Sequence, residues 1–196
     1  MKVLAFSDLH LDSAARNVIL AAAETADLVI GAGDFATHRQ GLGPFMAGFA
    51  PIAQKAVFVA GNNETVDELR AATSVRVLHG EAIEVAGLRI AGLGGAVPPL
   101  PPLPWGSFDL TEEDAGRLLS NVDGADILVS HSPPKGVCDQ HAKLGAIGSG
   151  AVLAAAQRWA PRYLLCGHVH DAWGARGRIG ETEVMNLGPG VTWITI

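Results

Sequence analysis

The sequence has only two cysteines, Cys138 and Cys166, and their spacing forms no C-x-x-C pair. This argues against a disulfide framework and a cysteine-ligated zinc site, so we expect both side chains to be reduced and to pack as small apolar groups. Long apolar runs are also absent. The first one stops at Ser7, and no later one approaches the roughly 20 residues that a membrane helix needs. We therefore expect a soluble, cytoplasmic protein without a membrane attachment.

Positive charge is sparse and scattered, with 14 Lys and Arg against 20 Asp and Glu and a formal net charge of -6. A protein that follows a nucleic-acid backbone needs a broad cationic surface, and this sequence shows none. A nuclease would need an electropositive groove beside its site, so we rank a nuclease behind the two functions described below. The chain also has no internal repeat and no low-complexity tail. Its 196 residues are enough for one core, and we predict a single domain over residues 1–196, with no feature that sets an oligomeric state.

Strand-like and helix-like runs alternate in the first half of the chain, which is typical of a β-α-β layer structure. The predicted strands there are residues 2–7, 28–32 and 56–60, and the predicted helices are 13–26 and 45–54. Short strands at 75–78, 82–85 and 88–91 look like antiparallel additions to the sheet. A proline-rich surface loop covers 97–105. The later predictions are helices at 112–120 and 150–159 and strands at 126–130, 162–166, 172–178, 181–187 and 191–196.

Five of the apolar runs end in a side chain of a type that binds metal ions. These side chains are Asp8, Asp34, Asn62, His131 and His168. Loops at the carboxyl ends of strands in an α/β sheet converge on one crevice, so residues far apart in the sequence are expected to meet there.

Asp8 and His168 are each followed two residues later by a histidine, His10 and His170. Residues two apart in an extended chain project to the same side. The complete set is Asp8, His10, Asp34, Asn62, His131, His168 and His170. Nitrogen and oxygen donors without a thiolate suit Mn, Fe, Co, Ni or Zn and argue against an all-oxygen calcium site. We leave His38 and His79 outside the set and place His38 near the mouth of the site.

The blocks Asp8-x-His10, Gly33-Asp34, Gly61-Asn62, an isolated His131 and Gly167-His168-x-His170 stand in one order over residues 8–170. In that order they resemble the calcineurin-like metallophosphoesterase superfamily. The resemblance implies an α/β fold, a four-layer α-β-β-α sandwich with its metal site at the carboxyl ends of the strands. It also implies two divalent ions, for which Mn is our first choice. One ion would be bound by Asp8, His10 and His170, and the other by Asn62, His131 and His168. Asp34 would bind both ions.

The activity implied by the resemblance is hydrolysis of a small phosphoester by a hydroxide that bridges the two ions. Asp34, Asn63 and His131 are the predicted catalytic residues. The family's third block usually continues with a histidine that assists the leaving group, whereas this sequence has Asn63 there. An amide cannot transfer a proton but can donate a hydrogen bond to a phosphoryl oxygen. Because some family members with another residue in this place resemble phosphodiesterases, we predict a diester substrate.

Three more residues are predicted to contact the substrate beside Asn63: His141, Gly148 and Asn186. Gly148 precedes a predicted helix whose free N–H groups could bind an anion. For Ser149 an ordinary loop and helix cap is the slightly favoured alternative. His141 is a possible acid whose direction the spacing leaves open. The alternative function is a metal-binding phosphate sensor or scaffold that lost efficient chemistry together with the third-block histidine.

Overall fold

The computed structural model describes all of residues 1–196, which form thirteen strands, five α-helices and two short 3₁₀ helices. The strands are β1 (Lys2–Phe6), β2 (Leu28–Gly31), β3 (Ala56–Phe58), β4 (Arg76–Val77), β5 (Glu81–Val85), β6 (Leu88–Leu93), β7 (Ile127–Ser130), β8 (Gln140–His141), β9 (Gly145–Ala146), β10 (Tyr163–Cys166), β11 (Arg176–Ile179), β12 (Thr182–Asn186) and β13 (Thr192–Thr195). The helices are α1 (Ser13–Ala23), α2 (Leu42–Ala47), α3 (Val66–Ala72), α4 (Glu112–Ser120) and α5 (Gly150–Trp159), with 3₁₀ helices at Ala50–Lys55 and His170–Ala172.

The strands form two larger sheets and one small hairpin. The first sheet has the order β13-β1-β2-β3-β4, the second has β11-β12-β10-β7-β6-β5, and β8 pairs only with β9. Strands β1 to β4 are mutually parallel, and so are β6, β7, β10 and β12. Each sheet therefore collects the carboxyl ends of several strands at one edge.

The two sheets stack face to face, and helices cover both outer faces. In β1 the alternation is visible residue by residue, because Val3 and Ala5 pack between the sheets while Leu4 and Phe6 pack toward α1 and α2. On the other side, Leu128 of β7 packs with residues of α4 and α5. This is the predicted four-layer α-β-β-α sandwich. None of the five helices has the length and apolar character that a bilayer crossing requires.

Helices α4 and α5 have the predicted bounds because each begins at a capping side chain. Thr111 Oγ1 accepts the N–H of Asp114 at 3.0 Å, and Ser149 Oγ accepts that of Val152 at 3.2 Å. A third cap, Thr65, starts α3 through a capping box with Glu68, although the sequence analysis assigned no helix there.

Two predictions about the first half of the chain were wrong. The helix predicted over residues 45–54 is divided into α2 and a 3₁₀ helix, because Pro51 has no N–H for an α-helical bond and Gly48 ends α2. The three strands after residue 75 are not all antiparallel additions. Of these three, only β5 is an antiparallel addition; β4 extends the first sheet in parallel, and β6 joins the second sheet in parallel with β7.

Candidate metal centre

The carboxyl ends of the parallel strands bring five loops to one edge of the sandwich. Asp8, Asp34 and Asn62 follow β1, β2 and β3 of the first sheet, and His131 and His168 follow β7 and β10 of the second. The site therefore lies where the two sheets meet. Most of it is buried, since Asp8 and Asp34 are each 2% exposed and His131 is fully covered.

Four side chains form a first group of donor atoms: Asp8, His10, Asp34 and His170. One donor atom from each lies within 4.8 Å of the others. His10 Nε2 is 3.2 Å from His170 Nε2 and 3.6 Å from Asp34 Oδ2, and His170 Nε2 is 3.8 Å from Asp8 Oδ1. This spacing fits several donors around one ion.

A second group lies on the other side of Asp34. Asn62 Oδ1 is 3.2 Å from His131 Nε2 and 3.1 Å from His168 Nδ1. His131 Nε2 is also 3.5 Å from Asp34 Oδ1. Asp34 thus directs one carboxylate oxygen to each group, and the structure brings together all seven predicted metal ligands.

Hydrogen bonds on the far side of His131 and Asn62 show which atom of each side chain faces the cluster. His131 Nδ1 donates to Ala32 O at 2.7 Å, so its Nε2 presents a lone pair to the cluster. Asn62 Nδ2 donates to Ser107 Oγ at 3.0 Å, which turns Oδ1 inward. Two lone pairs, His131 Nε2 and Asn62 Oδ1, therefore face each other and cannot hydrogen-bond directly. A shared cation would remove this repulsion, so the donor set fits a transition-metal ion.

The backbone of four predicted ligands lies in the left-handed region that L-residues rarely occupy. The φ angles are +54° at Asp8, +45° at His10, +59° at Asp34 and +68° at His168. Each such residue costs roughly 1 to 2 kcal/mol, so the surrounding structure must hold the loops in place. Strain of this kind is concentrated at the site, as is typical of functional positions.

Glu64 supplies much of that support. Its buried carboxylate accepts the N–H groups of Asp34 at 2.9 Å, Phe35 at 3.3 Å, Ala36 at 2.9 Å and Gly61 at 2.7 Å. One side chain thus connects the loop after β2 to the loop after β3. Glu64 is not among the site residues predicted from the sequence; its position two residues after Asn62 was the available signal.

Glycine is required at two places where one loop of the site approaches the carboxylate of another loop. A Cβ on Gly61 would overlap the Asp34 carboxylate, and one on Gly167 would lie 2.5 Å from Asp8 Oδ2. These two block glycines therefore permit close backbone approach to the carboxylates rather than a flexible turn.

Asn63 holds Asp34 and does not stand free in the cavity. Its backbone N–H and its Nδ2 donate to Asp34 Oδ1 and Oδ2 at 2.9 and 2.8 Å, and its Oδ1 accepts the N–H of His38 at 2.8 Å. One Nδ2 proton remains for another acceptor. His38 itself lines the cavity above the cluster, where its ring stacks on Trp105 with centroids 5.1 Å apart.

Of the other predicted substrate contacts, only His141 lies beside the cluster. It lines the same cavity as His10 and His170, and its Nδ1 accepts the N–H groups of Lys143 and Leu144 at 3.1 and 3.3 Å. Nε2 is therefore the donor side of this ring.

Gly148 and Asn186 have other partners. The N–H of Gly148 donates to Asp139 Oδ2 at 3.1 Å, and Gly148 lines a neighbouring cavity. Asn186 is buried, and its Nδ2 donates to the carbonyls of Gly167 and Val169 at 3.2 Å. Asn186 therefore secures the His168 loop from behind.

Trp173 is a second residue that the sequence analysis missed. Its Nε1 donates to Asp8 Oδ2 at 3.1 Å, and its ring lies 4.4 Å from the His170 ring with a 33° tilt. One indole thus contacts two members of the first group. No sequence pattern links position 173 to position 8, so only the fold shows this contact.

Burial sets the proton affinities at the centre. Desolvation, followed by the negative charge of Asp8, raises the pKa of Asp34 to about 7. Desolvation and then Asp34 raise the pKa of Glu64 to about 7 as well. Burial lowers the pKa of His168 well below its ordinary value, so this imidazole stays neutral and keeps a lone pair for a metal ion.

Comparison with known proteins agrees with this geometry. The profile of the calcineurin-like phosphoesterase superfamily domain matches residues 1–193, and the chain belongs to this superfamily. Among solved structures, TT1561 of Thermus thermophilus is 16% identical with a TM-score of 0.75, and the match covers 98% of this chain and 97% of that one. No curated protein sequence matches the chain.

Two further structures share the fold. A dimetal phosphatase from Danio rerio is 14% identical with a TM-score of 0.62, and the match covers 96% of this chain and 88% of that one. An archaeal phosphodiesterase is 15% identical with a TM-score of 0.50, covering 96% and 84%. At these identities the likeness shows the fold alone.

Glu64→Gln should destabilise the metal-free protein by about 2 kcal/mol, because the new amide N–H₂ would face backbone N–H donors and leave at least one of them unpaired. Urea unfolding in the presence of a chelator measures this. Glu181→Gln is the matched control, since the Glu181 side chain is 97% exposed, and it should change the unfolding free energy by less than about 0.5 kcal/mol. Equal stability of the two variants would contradict the role of Glu64.

Trp173→Phe should weaken Mn²⁺ binding at the group of donors that contains Asp8 roughly 10- to 100-fold, which is the usual effect of removing a hydrogen bond to a metal ligand. Phenylalanine keeps the ring beside His170 but has no N–H for Asp8. Calorimetric Mn²⁺ titration measures the affinity. Trp193→Phe is the control, because Trp193 is 43% exposed on β13 and should leave the affinity unchanged. Unchanged binding in Trp173→Phe would remove the indole from the centre.

Metal affinity should fall roughly tenfold as the pH is lowered from 8 to 6. The raised pKa of Asp34, about 7, means that a proton competes with the metal for this carboxylate over that interval. Above pH 8 the carboxylate is ionised and competition ends. Free Mn²⁺ measured by electron paramagnetic resonance gives the affinity at each pH. A constant affinity between pH 6 and 8 would show that Asp34 is already ionised or is not a ligand.

Proposed function

We propose that this protein is a metal-dependent phosphoesterase with a dinuclear centre and that its substrate is a phosphodiester. The observation that carries the proposal is the position of Asp34. Its two carboxylate oxygens face separate groups of donors, at 3.6 Å from His10 Nε2 and 3.5 Å from His131 Nε2. A carboxylate, unlike an amide, has two equivalent oxygens with which to serve two cations.

The two groups divide the ligands as the family resemblance implies. Asp8, His10 and His170 would hold one ion, Asn62, His131 and His168 the other, and Asp34 would contribute to both. Mn is our first choice, and Fe, Co, Ni and Zn are compatible with the same nitrogen and oxygen donors. When bound, such ions supply Lewis acidity for activating water and for neutralising charge on the phosphoryl oxygens.

Local charge explains how an acidic protein would bind a phosphoester. Two divalent ions contribute +4, and the carboxylates of Asp8 and Asp34 subtract 2, so the loaded centre is cationic although the whole chain carries -6. Binding is therefore expected to depend on the loaded centre, since no broad basic surface surrounds it.

Asn63 is the reason to propose a diester, because some family members without the third-block histidine resemble phosphodiesterases. Its backbone N–H and its side-chain Nδ2 each donate one hydrogen bond to Asp34. The side-chain amide can offer its remaining N–H to a phosphoryl oxygen, but it holds no proton that could pass to a leaving alcohol. His141 Nε2–H is a further donor at the cavity wall. Both residues would orient the substrate, and departure of the leaving group would depend on its own acidity.

The test is hydrolysis of bis(4-nitrophenyl) phosphate and of 4-nitrophenyl phosphate by metal-stripped protein resupplied with Mn²⁺. We expect metal-dependent turnover that favours the diester and that falls more than about 100-fold in Asp34→Asn, because even groups that only hydrogen-bond a metal ligand are worth 10- to 100-fold. Asp123→Asn, an exposed aspartate on the loop after α4, is the matched control and should behave as the wild type.

Two results would contradict the proposal. Faster hydrolysis of the monoester would reject the diester assignment while keeping the phosphoesterase. Absence of turnover with either ester, in protein that binds two ions, would favour the sensor or scaffold function.

A further inference from the structure

A cavity of about 760 Å³ opens above the candidate metal centre, and its floor and walls differ in chemistry. The floor includes His10, Asp34 and His168. Most wall residues come from two loops that contain no predicted metal ligand: the proline-rich loop, residues 97–105, and the β8–β9 hairpin with the residues that follow it, 140–147. The other wall residues are Thr37, His38 and Asp171. Whatever binds with its phosphate at the floor must place its substituent against these walls.

The walls are mostly apolar. Leu100, Leu103 and Trp105 line the cavity from the proline-rich loop, and Leu144 and Ile147 line it from the hairpin side. Two of these, Leu103 and Leu144, are 37% and 53% exposed and belong to the five large hydrophobic side chains that the chain leaves uncovered. Leaving such groups in water is unfavourable, and their concentration at one cavity is typical of a ligand site.

The apolar surface continues away from the centre. A second cavity of about 650 Å³ shares Leu100, Pro101, Leu144 and Ile147 with the first, so the two form one elongated groove. Its other walls include Pro98, Pro99, Ala146 and Ala151. A substituent longer than a few atoms could therefore stay in contact with apolar side chains as it leaves the centre.

The far end of the groove is not arranged for an anion. Helix α5 begins there, but the Glu112 carboxylate already accepts the N–H groups of Gly150 and Ala151 at 2.8 and 2.7 Å and the Ser149 hydroxyl at 2.9 Å. A second phosphate would meet a carboxylate at this helix N-terminus. Lys135 is the single cation that lines this end.

Both loops are held in position rather than free to collapse. Leu100 N–H donates to Asp109 Oδ2 at 3.1 Å, and five prolines limit the backbone of the proline-rich loop. On the opposite side, Ala142 N–H donates to Asp171 Oδ2 at 2.8 Å, while His141 accepts the N–H of Leu144 at 3.3 Å. A groove that is preorganised in this way loses little conformational freedom when a ligand binds.

Polar groups that could recognise a sugar or a nucleobase are few. Asp171 is engaged by the hairpin backbone, and the His38 ring stacks on Trp105. Thr37, His141 and Lys143 are the remaining polar side chains of the upper walls, and His141 Nδ1 is already occupied by the N–H groups of Lys143 and Leu144. These three side chains do not form a set that could read several hydroxyl or base edges.

We propose that the groove binds an elongated apolar substituent, so that the substrate is a phosphodiester in which one alcohol is an alkyl or aryl chain. This inference rests on the proposed phosphoesterase function and adds the class of substrate. The phosphate would lie at the metal centre, and the chain would run between Leu103 and Leu144 toward the second cavity.

The experiment compares 4-nitrophenyl n-alkyl phosphates with methyl, butyl and octyl chains, used below their micelle-forming concentrations. In the Mn²⁺-loaded wild type we expect kcat/KM to rise about two- to fourfold per methylene, the gain that burial of each CH₂ supplies. Leu144→Ser and Leu103→Ser should each lower the octyl-to-methyl ratio of kcat/KM. Val18→Ser is the matched control, since Val18 is 61% exposed on α1, and it should keep the wild-type ratio.

Calorimetric binding of methyl- and octylphosphonate separates this inference from the function on which it rests. Tighter binding of octylphosphonate without hydrolysis of any ester would support the apolar groove and reject the phosphoesterase. Hydrolysis with no dependence on chain length, or with a preference for a 4-nitrophenyl nucleoside phosphate over the octyl ester, would overturn the apolar substituent and keep the phosphoesterase.

Discussion

The buried carboxylate of Asp34 is the constraint on which the rest of the centre depends. It lies at the meeting edge of two sheets, in a strained backbone conformation, and within reach of donors from both sides. Burying a negative charge there is unfavourable, which is why its pKa rises to about 7 in the absence of cations. Cations on both sides would offset that cost, so metal binding and the ionised form of Asp34 favour each other.

The residues that surround Asp34 hold its loop and its side chain in place. Glu64 holds the backbone of its loop, Asn63 holds its side chain, and Gly61 has no Cβ because that space belongs to the carboxylate. Asp8 has similar support from Trp173 and from the N–H of His168. The ligands thus keep their geometry through groups that would not touch a metal ion themselves, and this preorganisation lowers the cost of binding one.

Much of the fold and of the metal centre could be predicted from the sequence because both follow local rules. Continuous apolar runs define strands such as β1, and caps at Thr111 and Ser149 define α4 and α5. Parallel strands bring Asp8, Asp34 and His131 to one edge. Local sequence patterns do not show which distant residue a strand or a polar group pairs with. The parallel direction of β4, the hydrogen bonds that occupy Gly148 and Asn186, and the contact between Trp173 and Asp8 all depend on residues distant in the sequence.

The central claim is that one carboxylate is shared by two metal ions. Electron paramagnetic resonance of protein loaded with two equivalents of Mn²⁺ tests it most directly, because two ions that share a ligand are close enough to couple magnetically. We expect two ions per chain and the spectrum of a coupled pair in the wild type. A single bound ion, or two ions that give only the six-line spectrum of isolated Mn²⁺, would contradict the shared role of Asp34.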